Sequence, residues 1–413
     1  MYQTLINCNV IDGTGSDTID DAVVELVGER IEWVGRREDW TGSTEDGCVR
    51  DMKGAYILPG LWDMHVHLSM TVLKEEGRRD DLPSDTLFSY RRALAFLDAG
   101  VTSLRLVGSP PGGMDFALRD GIAAGRYMGP RILTAGQGIA STGGHGYRGD
   151  EGCDGPYEFR KAARKRLWQG ADLIKIMVTG GMGGRYETYD ASQTLADEVK
   201  AATEVAHNAG RHVAGHIASP QAAIMCAEAG VNTVEHGYVL DERSLSVMAE
   251  RGTAYVPTLV VSWDPSYWQE LGVASWAMDK IRAVHQPHRR AVELALELGT
   301  PMAIGTDLPT AHMDGAIVTV REMEIISELG AQPRDLIGWA SSVSAGLCGL
   351  KGQVGELAPG QVADIIAVPE DPSESISNLR DVRFVMTGGR VVKDLLTGAA
   401  PVRLPEGFFT EDC

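Results

Sequence analysis

Near the start of the chain, apolar and polar residues alternate with period two in TLINCNVIDG (4–13), AVVELVG (22–28) and RIEWVG (30–35), with Gly and Asp at the breaks. That pattern predicts short antiparallel strands, each with one buried face. The same pattern returns after Gly355 in ADIIAVPE (363–370), RFVMTGG (383–389) and RVVKD (390–394). Two β-rich ends around a different middle predict one β-sandwich domain made from residues 1–56 and 356–413, with a second domain over 57–355.

In the middle, short β-branched runs alternate with longer amphipathic stretches such as DTLFSYRRALAFLDAG (85–100) and TLADEVKAATEVAHNAG (194–210). Eight runs read as strands: GLWDMHVHL (60–68), TSLRLVG (102–108), RILTAG (131–136), LIKIMVTG (173–180), HVAGHIA (212–218), TVEHG (233–237), AYVPTL (254–259) and MAIGTD (302–307). This βα rhythm predicts an α/β fold, a (β/α)8 TIM-type barrel with its site at the C-terminal strand ends. A doubly wound sheet is the alternative, but no Gly-rich phosphate fingerprint follows any of the strands.

Polar residues stand out where these apolar runs end. His65 and His67 are two apart on the first strand and so share a face. His216 closes the fifth strand, His236 the sixth and Asp307 the eighth, each beside a Gly or small residue. One such residue alone reads as structural; five in register read as a metal site. Lys175 lies inside the apolar run LIKIMV, where a charged ammonium is costly. Desolvation lowers the pKa of a lysine, and the neutral amine can take up carbon dioxide to give a carbamate that bridges two cations.

With these motifs in hand, the chain resembles the amidohydrolase superfamily, specifically its binuclear metal-dependent branch related to imidazolonepropionases and Xaa-Pro or Xaa-Arg dipeptidases. The resemblance rests on LPGLWDMHVHL, GADLIKIMVTGG, AGHIAS, TVEHG, YVPTL, AIGTD and the ending GELAPGQVADIIAVPEDP. It implies that His65, His67 and Asp307 hold the more buried ion, that His216 and His236 hold the other, and that carboxylated Lys175 and a hydroxide bridge them. Such donors suit zinc best. The bridging hydroxide would attack an amide carbonyl while Asp307 shuttles its proton to the leaving amine.

His145, in STGGHG after the third strand, and Tyr238 are the further candidates for catalytic contact with the carbonyl oxygen. The family usually has Thr where this chain has Tyr238. Arg185, in TGGMGGRYETYD, is the candidate for a substrate carboxylate, whereas Arg105 reads as a buried structural arginine. Long segments after the first and seventh strands read as loops that wall the site. The second carries Trp263, Tyr267, Trp268 and Trp276, which equally read as packing the external helix, Trp276 above all; the first carries Glu75, Glu76, Asp80 and Asp81 as acids of a solvated rim.

Composition narrows the partners. A net charge of -19 excludes the basic face that nucleic acid or an anionic membrane requires. The N-terminus has neither a basic start nor an apolar leader, so a cytoplasmic location is expected, and a homo-oligomer is expected. The six cysteines are scattered without CxxC spacing, which speaks against a zinc ribbon. The function that follows is a metal-dependent amidohydrolase acting on a dipeptide, an N-acyl amino acid or an aryl amide. Hydrolysis of a cyclic amide and deamination of a heterocycle at a single metal are the alternatives. Such deaminases place Glu a few residues after the fifth-strand His, where this chain has Ile217, Ala218 and Ser219. A non-enzymatic scaffold would have lost ligands, and none is missing.

Overall fold

The computed structural model describes residues 2–44, 47–70, 81–148, 151–313 and 315–397. The chain opens with an antiparallel meander of β1 (Tyr2–Val10), β2 (Ile19–Val27) and β3 (Arg30–Arg36). β4 (Cys48–Asp51) and β5 (Tyr56–Pro59) then lie parallel to β1. The unit is therefore mixed, not purely antiparallel as the sequence suggested: a period-2 pattern sets which face of a strand is buried but not the direction of its neighbour.

Seven parallel strands follow in two sheets. The first holds β6 (Leu61–Val66), β7 (Val101–Leu106) and β8 (Arg131–Thr134); the second holds β9 (Leu173–Met177), β10 (His212–Ile217), β11 (Thr233–His236) and β12 (Ala254–Val256). Between them run α1 (Leu82–Asp98), α2 (Met114–Ala123), α3 (Pro156–Trp168), α4 (Ala196–Asn208), α5 (Pro220–Glu228) and α6 (Glu242–Arg251). Local chemistry sets their ends. Asp81 caps α1 by accepting from Ser84 N at 2.8 Å, and α6 begins on Asp241, whose side chain accepts from Ser244 N, and stops at Gly252 with φ 70°.

Three single parallel bridges link these sheets to their neighbours: Ile139 with Ile176, Tyr255 with Met302, and Val66 with Leu308. MAIGTD is thus not a regular strand. It contacts β12 through Ala303 N to Tyr255 O (3.0 Å) and β6 through Met64 N to Ile304 O (2.8 Å). Part of its hydrogen bonding goes instead to a side chain, because Asp63 accepts from both Thr306 N and Thr306 Oγ1.

The expected loop after the seventh strand is helical: α7 (Val260–Trp263), α8 (Pro265–Glu270) and the first turns of α9 (Ser275–Leu298). Asp264 accepts from Ser266 N at 2.9 Å with Pro265 at the first helical position, which starts α8. Trp268 is buried there, while Trp263 lies under Arg289 and Trp276 under Lys280. Of the acids expected in the loop after the first strand, Glu75, Glu76 and Asp80 lie outside the described residues, and Asp81 is the helix cap.

Past α9 come the short hairpin of β13 (His312–Met313) and β14 (Ala316–Ile317) and then α10 (Val318–Glu328). β15 (Ile365–Val368), β16 (Phe384–Thr387) and β17 (Arg390–Asp394) return to the first sheet, whose order is β17-β16-β15-β5-β1-β2-β3. Leu5, Val24, Leu26, Ile57, Ile365 and Phe384 form a buried cluster on one face of this sheet, while Leu58, Ile366, Val368 and Val385 on the same strands join the larger core of the middle segment. Among the described residues no helix is long and apolar enough to cross a membrane.

Candidate metal centre

Strand geometry gathers the candidate ligands. Alternation on β6 and just beyond it puts Asp63, His65 and His67 on one side. Asp63 is fully buried and accepts from His65 N, Thr306 N, Thr306 Oγ1 and Thr319 Oγ1, so it locks β6 against the segment that carries Asp307. Burial pushes the Asp63 carboxyl up to about 6, against the pull of those hydrogen bonds.

His65, His67 and Asp307 offer ligand atoms within 4.8 Å of one another. His65 Nε2 lies 3.2 Å from His67 Nε2 and 3.3 Å from Asp307 Oδ1, and His67 Nε2 lies 3.2 Å from the same oxygen. The outer nitrogens are already committed: His65 Nδ1 donates to Glu235 Oε2 at 2.8 Å, and His67 Nδ1 donates to Gly108 O at 2.9 Å. Both Nε2 atoms therefore carry lone pairs. Two imidazole lone pairs and a carboxylate oxygen converge with no proton to share, an arrangement that a divalent cation satisfies.

His216 and His236 stand beside this group. The ring of His236 lies 4.7 Å from that of His65 and 4.5 Å from that of His216, centre to centre. His216 Nε2 donates to Gly180 O at 3.0 Å, leaving Nδ1 with its lone pair, and His236 Nδ1 meets Thr258 Oγ1 at 2.9 Å. Burial, and then neighbouring positive charge, holds both rings well below the usual histidine range, so they are neutral and fit to ligate. Asp307 Oδ1 lies 3.3 Å from His65 Nε2 and 3.2 Å from His67 Nε2, and Asp307 Oδ2 lies 3.9 Å from His236 Nδ1.

The backbone at these strand ends is unusual. His236, Thr258 and Asp307 have φ of 70°, 55° and 60°. For the β-branched Thr258 this is a true outlier, and left-handed non-glycine residues cost on the order of 1–3 kcal/mol each. All three sit at the ligand cluster, where the left-handed turn ends each strand.

Lys175 is 1% exposed, and its Nζ has no hydrogen-bond partner among the described residues. Burial brings its pKa down to about 8, with Glu235 and Asp307 pulling the other way. An orphaned amine among four histidines and an aspartate is costly unless it is modified or neutral. The donor set as a whole fits the two-ion arrangement that the family resemblance implies.

Of the remaining candidates, Tyr238 is buried and its ring stacks on that of His236 at 5.3 Å. Burial and then Asp307 push its hydroxyl well above the usual tyrosine range, so it stays protonated. His145 stacks on His216 with ring centres 4.3 Å apart. Arg185 is exposed with its guanidinium over the Tyr186 ring, and the structure does not bring it into the cluster. Arg105 is buried and donates to Met64 O, Thr233 Oγ1 and Glu235 Oε1.

Sequence reasoning missed Glu235, Asp63, Thr258, Glu187, Gln193 and Lys280. For Glu235 there was a signal: an acid inside the buried strand TVEHG, next to a ligand, poses the same cost of burial as Lys175. Asp63, an acid inside the buried run LWDMHV, carried the same signal, whereas Thr258, Glu187, Gln193 and Lys280 take their roles from partners on other segments, His236, His145 and the loop glycines.

Residues 56–392 match the sequence model of the Amidohydrolase family. The Aspergillus niger ochratoxinase is 27% identical over 385 residues, covering 82% of this chain and 75% of that protein. A solved structure of a Xaa-Pro dipeptidase with bound methionine superposes with a TM-score of 0.88 at 28% identity, covering 95% of this chain and all of the other. A prolidase complexed with N-methylphosphonate-L-proline gives a TM-score of 0.84 at 27% identity, covering 95% of this chain and 100% of that one.

Proposed function

This chain belongs to the amidohydrolase family and is a hydrolase of carbon–nitrogen bonds, and from that premise we propose that it cleaves the amide of a small apolar molecule with two divalent metal ions. The observation that carries the reading is the convergence of His65 Nε2, His67 Nε2 and Asp307 Oδ1, together with a buried Lys175 amine that has no hydrogen-bond partner among the described residues. His65, His67 and Asp307 would hold one ion, His216 and His236 the other, and Lys175, once its neutral amine has taken up carbon dioxide and released a proton, would supply a carbamate oxygen as a further ligand. Zinc is the natural occupant of such donors. Bound there, the ions supply an acidified water and a polarised carbonyl.

The protein side chains do the rest. Asp307 takes the proton of the attacking water and returns it to the leaving amine, which cannot depart as an anion. Tyr238 keeps its hydroxyl proton and stacks on the His236 ring, and the reading assigns it as the donor to the developing oxyanion. His145 borders the same space beside His216. The reading also assigns residues 57–355 to a (β/α)8 barrel, supported by the three parallel bridges that join its sheets, and residues 1–56 with 356–413 to a β domain, supported by the sheet that strands from both ends share.

The substrate class follows from the walls. Met182, Tyr189, Val239 and Val261 pack around Ala218, Tyr238 and Val284 next to the histidines, making one side apolar. Neutral or aromatic groups fit there better than a guanidinium does. The ochratoxinase and Xaa-Pro dipeptidase similarities point to amides of this size. The test is elemental analysis with kinetics on a panel: an Xaa-Pro dipeptide, an Xaa-Arg dipeptide, an aromatic N-acyl amino acid and a lactam. Two ions per chain, loss of activity on chelation and preference for the aromatic amide are expected. One ion with full activity would refute the two-ion reading, preference for Xaa-Arg would refute the apolar wall, and hydrolysis of the lactam alone would assign a cyclic amide.

A further inference from the structure

We propose that Glu187, oriented by Gln193 and carried on a loop strapped to α9 by Lys280, is a positioning residue that fixes His145 in one tautomer and one orientation at the metal centre. The proposal rests on the reading of His145 as a residue that meets substrate.

Three hydrogen bonds close a ring. His145 N donates to Gln193 Oε1 at 2.7 Å, Gln193 Nε2 donates to Glu187 Oε2 at 3.1 Å, and Glu187 Oε1 accepts from His145 Nδ1 at 2.7 Å. A backbone N–H can only donate, so it sets which way the Gln193 amide points. That amide then offers N–H to Glu187, and the other Glu187 oxygen takes the His145 Nδ1 proton. The ring closes only if residue 187 accepts at both oxygens, which demands a carboxylate. Once it closes, Nε2 is the ring nitrogen that His145 presents elsewhere, and no described residue bonds to it.

The loop is built to hold this geometry. Lys280 Nζ donates to Gly181 O at 2.8 Å and to Gly184 O at 2.6 Å, tying the loop after β9 to α9. A β-carbon on Gly181 would collide with the His145 ring, one on Gly184 with the Glu187 carboxylate, and one on Gly180 with the Thr188 carbonyl. The glycines let the loop wrap the imidazole closely. His145 and Glu187 side chains are 21% and 12% exposed, so the bond between them is shielded more than a surface pair.

The experiment compares Glu187→Gln, Glu187→Asp, Lys280→Met and Lys280→Arg in the metal-loaded protein. Whichever way the amide introduced by Glu187→Gln turns, its NH2 group faces the amide of Gln193 or the Nδ1 proton of His145. A fall in kcat/KM of about ten- to hundredfold is expected, the range for one charge-assisted hydrogen bond, at unchanged metal content. Glu187→Asp recovers part of it, and Lys280→Arg recovers more than Lys280→Met. In a His145→Ala background, Glu187→Gln should cause no further loss. Nitrogen-15 spectra of the histidines read the tautomer without any substrate: His145 protonated on Nδ1 in the wild type and a mixture in Glu187→Gln. Wild-type kcat/KM in Glu187→Gln when His145→Ala is impaired, an equal loss in the His145→Ala background, loss of metal, or an unchanged tautomer would each overturn the proposal. If His145→Ala itself turns over normally while the spectra shift as expected, it is the substrate role of His145 that fails.

Discussion

Replacing Glu235 by Gln tests whether the metal centre depends on a buried charge. Glu235 is completely buried and accepts from His65 Nδ1 (2.8 Å), Arg105 Nη2 (2.7 Å) and Thr233 Oγ1. Burial works against its charge, yet Arg105, His65 and Lys175 hold the carboxyl far below its usual range. A glutamine offers one acceptor oxygen to these donors and adds an N–H of its own, so the Arg105 guanidinium loses its counter-ion while still buried. Breaking such a pair costs about 3–5 kcal/mol, a large part of the roughly 5–15 kcal/mol that holds a typical protein folded. Loss of the carboxylate behind His65 should also weaken metal binding about 10–100-fold. Urea unfolding of the metal-free protein reads the first effect and competition with a chelator the second. Adding Arg105→Met should recover part of the stability, because it removes the stranded charge. An unfolding midpoint and metal affinity equal to wild type would refute the reasoning, since they would mean that the pair carries no net weight.

Three further outcomes follow from the site. Lys175→Ala should empty at least one metal site, with partial rescue by a short carboxylic acid; full metal content without rescue would remove the carbamate. The lowered Lys175 pKa gives a sign as well: the folded protein sheds the Lys175 proton near pH 8, so bicarbonate-dependent metal reloading of the apo protein should rise between pH 7 and 9. A flat profile would count against a free amine as the reacting form. Asp307→Asn should lower turnover at least about a hundredfold, measured alongside metal content; a metal-loaded variant with near wild-type turnover would leave Asp307 a ligand and nothing more.

What the sequence determined by itself is the set of side chains that chemistry makes expensive. A lysine inside LIKIMV, histidines two apart on a β-branched run, and a carboxylate closing AIGTD are each hard to bury without a reason, and the period of the apolar pattern places them at strand ends. That is why His65, His67, His216, His236, Lys175 and Asp307 were legible, as were most of the parallel strands. The eighth was not, since a β-rich segment reads alike whether its amides bond to a neighbouring strand or to the Asp63 carboxylate. The helices after β12 escaped too, because Pro, Asp and Trp read as loop signals until Trp268 is seen buried and Asp264 capping.

Only the tertiary structure decided which nitrogen of each histidine is free. For four of them that choice is made by pure acceptors far away in the chain: Glu235 for His65, Gly108 for His67, Gly180 for His216 and Glu187 for His145. It also turned Arg185 outward and brought Lys280 onto the loop glycines. The physical reason is range. Hydrophobic periodicity is a property of neighbours along the chain, whereas a hydrogen bond between residues 65 and 235 exists only after the strands have come together.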